Sequence, residues 1–162
     1  FLASLGTSPL GDVAAAADLD VLKSGEASGP LFGGTLTQLA ASLGTPFAFA
    51  PPGPYVLFFE DVGERPYRIR RLLTQLAQSG RLADAVAVVV GSLNRCDEPN
   101  GTITGQAVVS EFFSSFSGPV VYGFPSGHTD VPFVSMPLGV EVRVVAPAQG
   151  RAMVVFEEAA AG

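Results

Sequence analysis

Residues 55–91 read YVLFFEDVGERPYRIRRLLTQLAQSGRLADAVAVVVG, and this segment carries the clearest evidence of the fold class. It opens and closes with continuous apolar runs, at 55–59 and 85–90, which are typical of strands buried on both faces. Between them, Pro66 suits a first helical position, leucines recur at helical spacing, and Gly80 suits the position just after a helix. Strand, helix and strand in succession predict a right-handed βαβ unit with parallel strands.

Further segments on both sides of this unit extend the alternation. Helices are predicted over 36–43 and 103–116, and strands over 119–122, 140–145 and 152–156. The last two strands flank a turn that contains Pro147 and Gly150, which is a hairpin pattern, so the sheet is expected to be mixed. The predicted fold class is α/β, with a mixed sheet, a parallel βαβ core and a C-terminal hairpin.

The composition excludes several classes of protein. The chain has 162 residues, 48% of them hydrophobic and 15% charged, which indicates a packed globular domain. Its formal charge of −6 argues against a nucleic-acid partner, and no apolar run approaches the ~20 residues of a membrane helix. A single cysteine, Cys96, excludes an internal disulfide and suits a reducing cytosol. With one histidine and no paired metal-ligand spacing, no metal or cofactor is predicted.

The domain organisation is read from composition. Residues 1–30 are weakly patterned and end in chain-breaking residues, which predicts a connection that leads into a domain over 31–162. The chain begins at Phe1 with no signal-peptide pattern, and we expect it to be a fragment whose natural N-terminus lies elsewhere.

Two residues are the main candidates for chemistry. Glu60 ends an apolar strand, and ligands of open α/β sheets bind beyond the carboxyl ends of parallel strands. His128, the only histidine, lies in a loop of small residues after a short strand, and histidine is the usual general base near neutral pH. Taken alone, each also fits a plain structural interpretation, as an acidic residue where water begins or an exposed loop histidine.

Three weaker candidates follow. Ser126 lies only two residues from His128, too close in sequence for the usual geometry of a nucleophile and its base. Cys96 follows a strand and is a candidate reactive thiol, although a structural thiol is the preferred interpretation. The pair Gly33-Gly34 fits a tight turn or a phosphate cradle, but it matches no nucleotide-binding motif.

An ordered series of motifs resembles the C-terminal domain of the LD-carboxypeptidase family, which includes the microcin C immunity peptidases. The matching stretches are residues 29–36 (GPLFGGTL), 44–46 (GTP), 57–69 (LFFEDVGERPYRI) and 72–76 (LLTQL), Gly91 with Arg95-Cys96, Gly127-His128, and 137–139 (PLG). They run in family order. The resemblance implies a swivelling β/β/α domain with the active site in a cleft between two domains.

The family works with a Ser-His-Glu triad, and the resemblance places its glutamate at Glu60 and its histidine at His128. The family's serine belongs to a separate N-terminal domain, in a turn of the Gly-aromatic-Ser-Asp type. No Ser-Asp pair exists in this sequence, so the chain is expected to be inactive alone. The implied activity is removal of a terminal D-amino acid, such as D-Ala, from murein tetrapeptides during cell-wall recycling in the cytoplasm. A homodimer is a further expectation from the family.

The chain departs from the family pattern at two positions. Thr35 replaces the usual asparagine of Gly-Gly-Asn-Leu, which puts a contact on the active-site side in doubt, and Arg70 replaces an aspartate in what looks like a surface change. Two other functions stay open: a stand-alone binding module without chemistry, and a microcin-type immunity peptidase acting on a peptide-nucleotide. The second needs an aromatic platform for the base, and this chain has no tryptophan.

Overall fold

The computed structural model describes residues 18–130 and 134–157. In chain order its elements are β1 (Asp20–Lys23), β2 (Gly25–Thr35), α1 (Leu36–Ser42), β3 (Tyr55–Val62), α2 (Pro66–Gln78), β4 (Ala85–Asn94), α3 (Gly105–Phe112), β5 (Val120–Tyr122), β6 (Glu141–Ala146) and β7 (Met153–Phe156).

The strands form one mixed sheet in the order β1-β5-β4-β3-β2-β6-β7. Its centre, β2 to β5, is parallel, while β1 pairs with β5, β6 with β2, and β7 with β6 in antiparallel fashion. The long strand β2 joins the parallel centre of the sheet to the β6–β7 hairpin, because residues 25–30 pair with β6 and residues 31–35 pair with β3.

Two hydrophobic clusters lie on opposite faces of the parallel strands. One contains the inward faces of the three helices, including Leu36, Ile69 and Val109. The other packs side chains of β3 and β4 against the β6–β7 hairpin, including Val142 and Phe156, because the sheet curls over itself. The layers are therefore hairpin, parallel sheet and helices, which confirms the expected α/β class and β/β/α layering.

The predicted βαβ unit is confirmed. Helix α2 begins at Pro66, buries Ile69, Leu73 and Leu76 against the sheet, and is followed by Gly80 with a left-handed φ of 79°. Strands β3 and β4 pair in parallel, and both are almost completely buried, as their continuous apolar sequences predict. The C-terminal hairpin is also confirmed.

The predicted connection over residues 1–30 differs from the structure in its second half. Residues 1–17 lie outside the described residues, but residues 20–30 form β1 and the first part of β2, both paired in the sheet. Gly33-Gly34 lies in the extended strand β2, and so does not form the tight turn that was one of the two interpretations of its sequence. A Cβ at Gly33 would lie 1.8 Å from the carbonyl oxygen of Phe58, so glycine here permits close approach of β2 to β3.

Two other bounds differ from the sequence prediction. Strand β4 continues past Gly91 to Asn94, because Leu93 and Asn94 still pair with β3 beyond a bulge. Helix α3 is shorter than the predicted 103–116. Its start is fixed by two side-chain caps, Thr104 accepting from the Ala107 N–H and Asp97 from the Gly105 N–H.

Candidate active site

Glu60 lies near the carboxyl end of β3, on the central part of the sheet. Its side chain is only 4% exposed although it is a carboxylate, so its charge must be satisfied by donors from the protein. Gly127 lies directly against it: a Cβ there would be 2.2 Å from Glu60 Cγ, and the φ of Gly127 is +92°. Glycine is therefore required for the loop after β5 to reach the carboxylate.

His128 is carried by that loop, which is anchored at several points. The N–H groups of Gly123 and Phe124 both donate to the carbonyl of Val90 on β4, and the Phe124 side chain is buried in the core. Further along, the Asn94 amide donates to the Asp130 carboxylate at 2.8 Å. Because these bonds hold the loop to β4 on both sides of His128, the position of the histidine is better fixed than in a free surface loop.

The structure brings the two main candidates into direct contact. Glu60 Oε2 accepts hydrogen bonds from the His128 backbone N–H at 2.9 Å and from its imidazole, with Nδ1 at 2.8 Å. A proton on Nδ1 makes the neutral ring a donor to the carboxylate and leaves Nε2 as the basic nitrogen. About half of the His128 side chain is exposed, so a group outside the chain can reach the imidazole.

The second oxygen of Glu60 has its own donor. Thr35, at the end of β2, is the register partner of Glu60 in the parallel ladder, and its hydroxyl donates to Glu60 Oε1 at 2.7 Å. Sequence reasoning identified Thr35 only as a departure from the family pattern. Its contact depends on β2 being a strand paired in this register, which its sequence did not indicate.

These bonds determine the charge state of Glu60. Burial by itself raises the pKa of the carboxyl group, but the backbone N–H of His128, the Thr35 hydroxyl and the imidazole together lower the pKa below its usual value. The carboxylate is therefore ionised at neutral pH while almost fully buried. A fixed negative charge beside Nδ1 is what stabilises an imidazolium formed during proton transfer.

The next residue, Asp61, is a buried carboxylate with a structural task. Its Oδ2 accepts from both the N–H and the hydroxyl of Thr37, and its Oδ1 accepts from the Val62 N–H. Asp61 therefore caps the first turn of α1, although it lies on β3 and not on β2, the strand that leads into the helix. Two adjacent acidic residues of β3 thus have different roles, one facing His128 and the other holding a helix.

Ser126 and Cys96 are not placed as nucleophiles. Ser126 is buried, and its backbone carbonyl accepts from the Ser92 N–H of β4, which anchors the histidine loop. Cys96 is completely buried, with its Sγ near the carbonyls of Asp61 and Asn94, and burial raises the pKa of its thiol to about 11. The structural interpretation of this thiol fits its surroundings, because the thiolate is the reactive form.

The burial of Cys96 gives a direct prediction. At pH 8 we expect iodoacetamide to alkylate the native chain at least about 100-fold more slowly than the chain in denaturant, since each unit of raised pKa removes about tenfold of the thiolate. Mass spectrometry over time measures both rates. Equal rates in the two states would show that the thiol is accessible in the folded chain.

Other features of the described residues bear on the remaining expectations. Arg70 pairs with Glu111 across the exposed sides of α2 and α3, in agreement with a surface change. Within residues 18–130 and 134–157, no three or more His, Cys, Asp or Glu side chains are grouped to hold a metal ion. In that part of the chain, none of the helices has both the length and the apolar character needed to cross a bilayer.

A buried carboxylate that orients an exposed imidazole at the carboxyl edge of a parallel sheet is typical of hydrolases that activate a nucleophile with a general base. The sequence comparison agrees with this class of enzyme and identifies a family within it. Residues 28–144 match the LD-carboxypeptidase C-terminal domain, and the chain belongs to that family.

Named relatives support the family assignment. The chain is 36% identical over 123 residues to the "Probable murein peptide carboxypeptidase" of Bacillus subtilis (strain 168), covering 75% of this chain and 38% of the relative. The crystal structure of muramoyltetrapeptide carboxypeptidase from Oxalobacter formigenes is 31% identical, with a TM-score of 0.69, over 90% of this chain and 53% of that one. The chain thus spans about two fifths to one half of the length of these relatives.

A more distant structure shares the fold. The microcin C7 self immunity protein is 22% identical, with a TM-score of 0.74, over 88% of this chain and 42% of that protein. At this identity the similarity concerns the arrangement of helices and strands.

Proposed function

We propose that this chain supplies the glutamate and histidine of a Ser-His-Glu triad, Glu60 and His128, in a carboxypeptidase that removes a terminal D-amino acid from murein tetrapeptides. The observation that carries the proposal is the 2.8 Å contact between His128 Nδ1 and the buried Glu60 carboxylate. The murein substrate comes from the names of the relatives. In this proposal the serine belongs to a further domain. The intact protein that contains both this chain and that domain is called here the serine-bearing protein.

Glu60 and His128 have different roles in the proposed mechanism. Glu60 keeps the proton of His128 on Nδ1 and stabilises the imidazolium. His128 Nε2 takes the proton of the serine hydroxyl as its oxygen attacks the carbonyl carbon of the scissile peptide bond, and then gives that proton to the leaving amine of the D-amino acid. Water, deprotonated by the same nitrogen, then attacks the carbonyl carbon of the resulting ester, and the proton on Nε2 passes to the serine oxygen as the shortened peptide leaves as its acid.

The surroundings of the pair favour this chemistry. The carboxylate is buried while about half of the imidazole side chain is exposed, which supports the proposal because a nucleophile supplied by another domain could reach the imidazole. We further propose that the substrate is a peptide released in the cytoplasm during cell-wall recycling. The expected homodimer stays a prediction.

The test compares the chain with the serine-bearing protein on a murein tetrapeptide that ends in D-Ala. We expect D-alanine release from the serine-bearing protein and no release above the blank from the chain alone, because the proposal assigns the nucleophilic serine to the further domain. Chromatography of the released amino acid measures both rates, and a tetrapeptide ending in L-Ala is the stereochemical control. Turnover by the isolated chain, or equal cleavage of both peptides, would contradict the proposal.

A further inference from the structure

We propose that Thr35 is a positioning residue for the triad, which fixes the orientation of the Glu60 carboxylate through its second oxygen. The proposal rests on the proposed function for its kinetic consequence, whereas its structural consequence can be measured on this chain alone. It goes beyond the motif comparison, in which Thr35 is a departure from the usual asparagine.

The first argument is that the two carboxylate oxygens of Glu60 accept from different residues. Glu60 Oε2 receives both bonds from His128, and Oε1 receives the bond from Thr35. The terminal torsion of a glutamate is broad and does not fix the plane of the carboxylate by itself. A donor on each oxygen fixes that plane, and with it the direction in which Oε2 meets the imidazole.

The second argument is that Thr35 does not do what its position suggests. It is the N-cap residue of α1, where a threonine usually accepts a bond from an N–H of the first turn, and here it makes no such bond. Asp61 of β3 accepts the Thr37 N–H in its place. The hydroxyl of Thr35 is therefore directed to Glu60 while the helix start is held by another residue.

The third argument is the register of the sheet. Thr35 and Glu60 are direct neighbours in the parallel ladder between β2 and β3, so the backbone of both residues is fixed by strand pairing. A short side chain on such a backbone has few alternative positions, and a hydroxyl at this point delivers one proton to one oxygen. Serine can reproduce this donor, whereas valine has nearly the same shape and cannot.

The experiment uses Thr35→Val to remove the donor and Thr35→Ser to keep it. Thr37→Val is a matched control, because the Thr37 hydroxyl also donates to a buried carboxylate, that of Asp61, which does not contact His128 through any described bond. All variants are first compared with the wild-type chain in thermal unfolding. Residual differences in stability are thereby separated from effects on Glu60.

The structural readout is NMR on this chain. We expect Thr35→Val to raise the pKa of Glu60, followed at its carboxyl carbon, by about one unit, because a hydrogen bond to the ionised form is lost. Thr35→Ser and Thr37→Val should leave it near the wild-type value. The nitrogens of the only histidine should also show a smaller fraction of the Nδ1–H tautomer in Thr35→Val.

The kinetic readout uses the same variants in the serine-bearing protein. We expect Thr35→Val to lower kcat about tenfold with KM changed less than about twofold, and Thr35→Ser to restore most of kcat. If Thr35→Val behaves like Thr37→Val in both the Glu60 titration and kcat, the positioning role is overturned. A serine-bearing protein without activity would instead contradict the proposed function, and the NMR comparison would still decide the role of Thr35.

Discussion

His128→Ala is expected to lower the kcat of the serine-bearing protein for D-alanine release by about 10³-fold or more, because the proposed mechanism has no other general base for the serine. Glu60 loses one of its donors in this variant but keeps the backbone N–H of residue 128 and the Thr35 hydroxyl, so the free energy of unfolding should fall by about 1 to 2 kcal/mol with the fold retained. Steady-state kinetics and denaturant unfolding measure the two quantities.

Glu60→Gln is the companion change and separates orientation from proton transfer. Glutamine keeps the shape but removes the charge, and its amide can present an N–H to Nδ1, which favours the wrong tautomer. A loss of about 10³ to 10⁴ in kcat is expected from this kind of change. Glu111→Gln, on the exposed side of α3, is the control and should retain normal kcat.

The losses of kcat caused by the two triad substitutions should also not be additive. Once His128 is absent, Glu60 has nothing to orient, so the double variant should be about as slow as His128→Ala alone. Near-normal D-alanine release by His128→Ala would end the triad proposal. Multiplicative losses in the double variant would show that the two residues act separately.

The core of the fold was predictable because local signals agreed with tertiary structure. The runs at 55–59 and 85–90 are apolar throughout, as strands covered on both faces must be, and the leucines of α2 share one helical side. Pro66 and Gly80 mark the helix ends by backbone chemistry that does not depend on neighbours. Signals of this kind are readable from one sequence.

Strand β2 was not predictable from the same signals. Its eleven residues, GEASGPLFGGT, include four glycines and a proline, which intrinsic strand preferences disfavour. It becomes a strand because β6 pairs with its first half and β3 with its second. The glycines that conceal the strand in the sequence are partly explained by this pairing, since Gly33 allows the close approach to β3.

The candidate site was predictable residue by residue but not as an assembly. Glu60 and His128 each had a position and a chemistry that suggested function, while their contact depends on the loop after β5 folding back over β3. Thr35 could not be connected with Glu60 before the β2–β3 register was known. The family resemblance named the same two triad positions, but it treated the third donor as a departure.

Gly33→Ala is expected to lower the free energy of unfolding of the chain by about 3 kcal/mol or more, because its Cβ would lie 1.8 Å from the Phe58 carbonyl oxygen and must push β2 and β3 apart. The neighbouring Gly34→Ala provides a matched control. Its φ of 156° is close to the 157° of Gly33, but its Cβ would meet only Leu39 Cδ2, at 3.9 Å.

Both substitutions carry a similar backbone cost, about 1 to 2 kcal/mol, so the difference between them isolates the close approach of the two strands. Urea unfolding of the two variants measures that difference. Gly33→Ala should also disturb the Glu60 titration, because the displaced strand carries Thr35 away from its partner two positions along the ladder. Equal stabilities of the two variants would mean that β2 and β3 are not packed as closely as the described ladder requires.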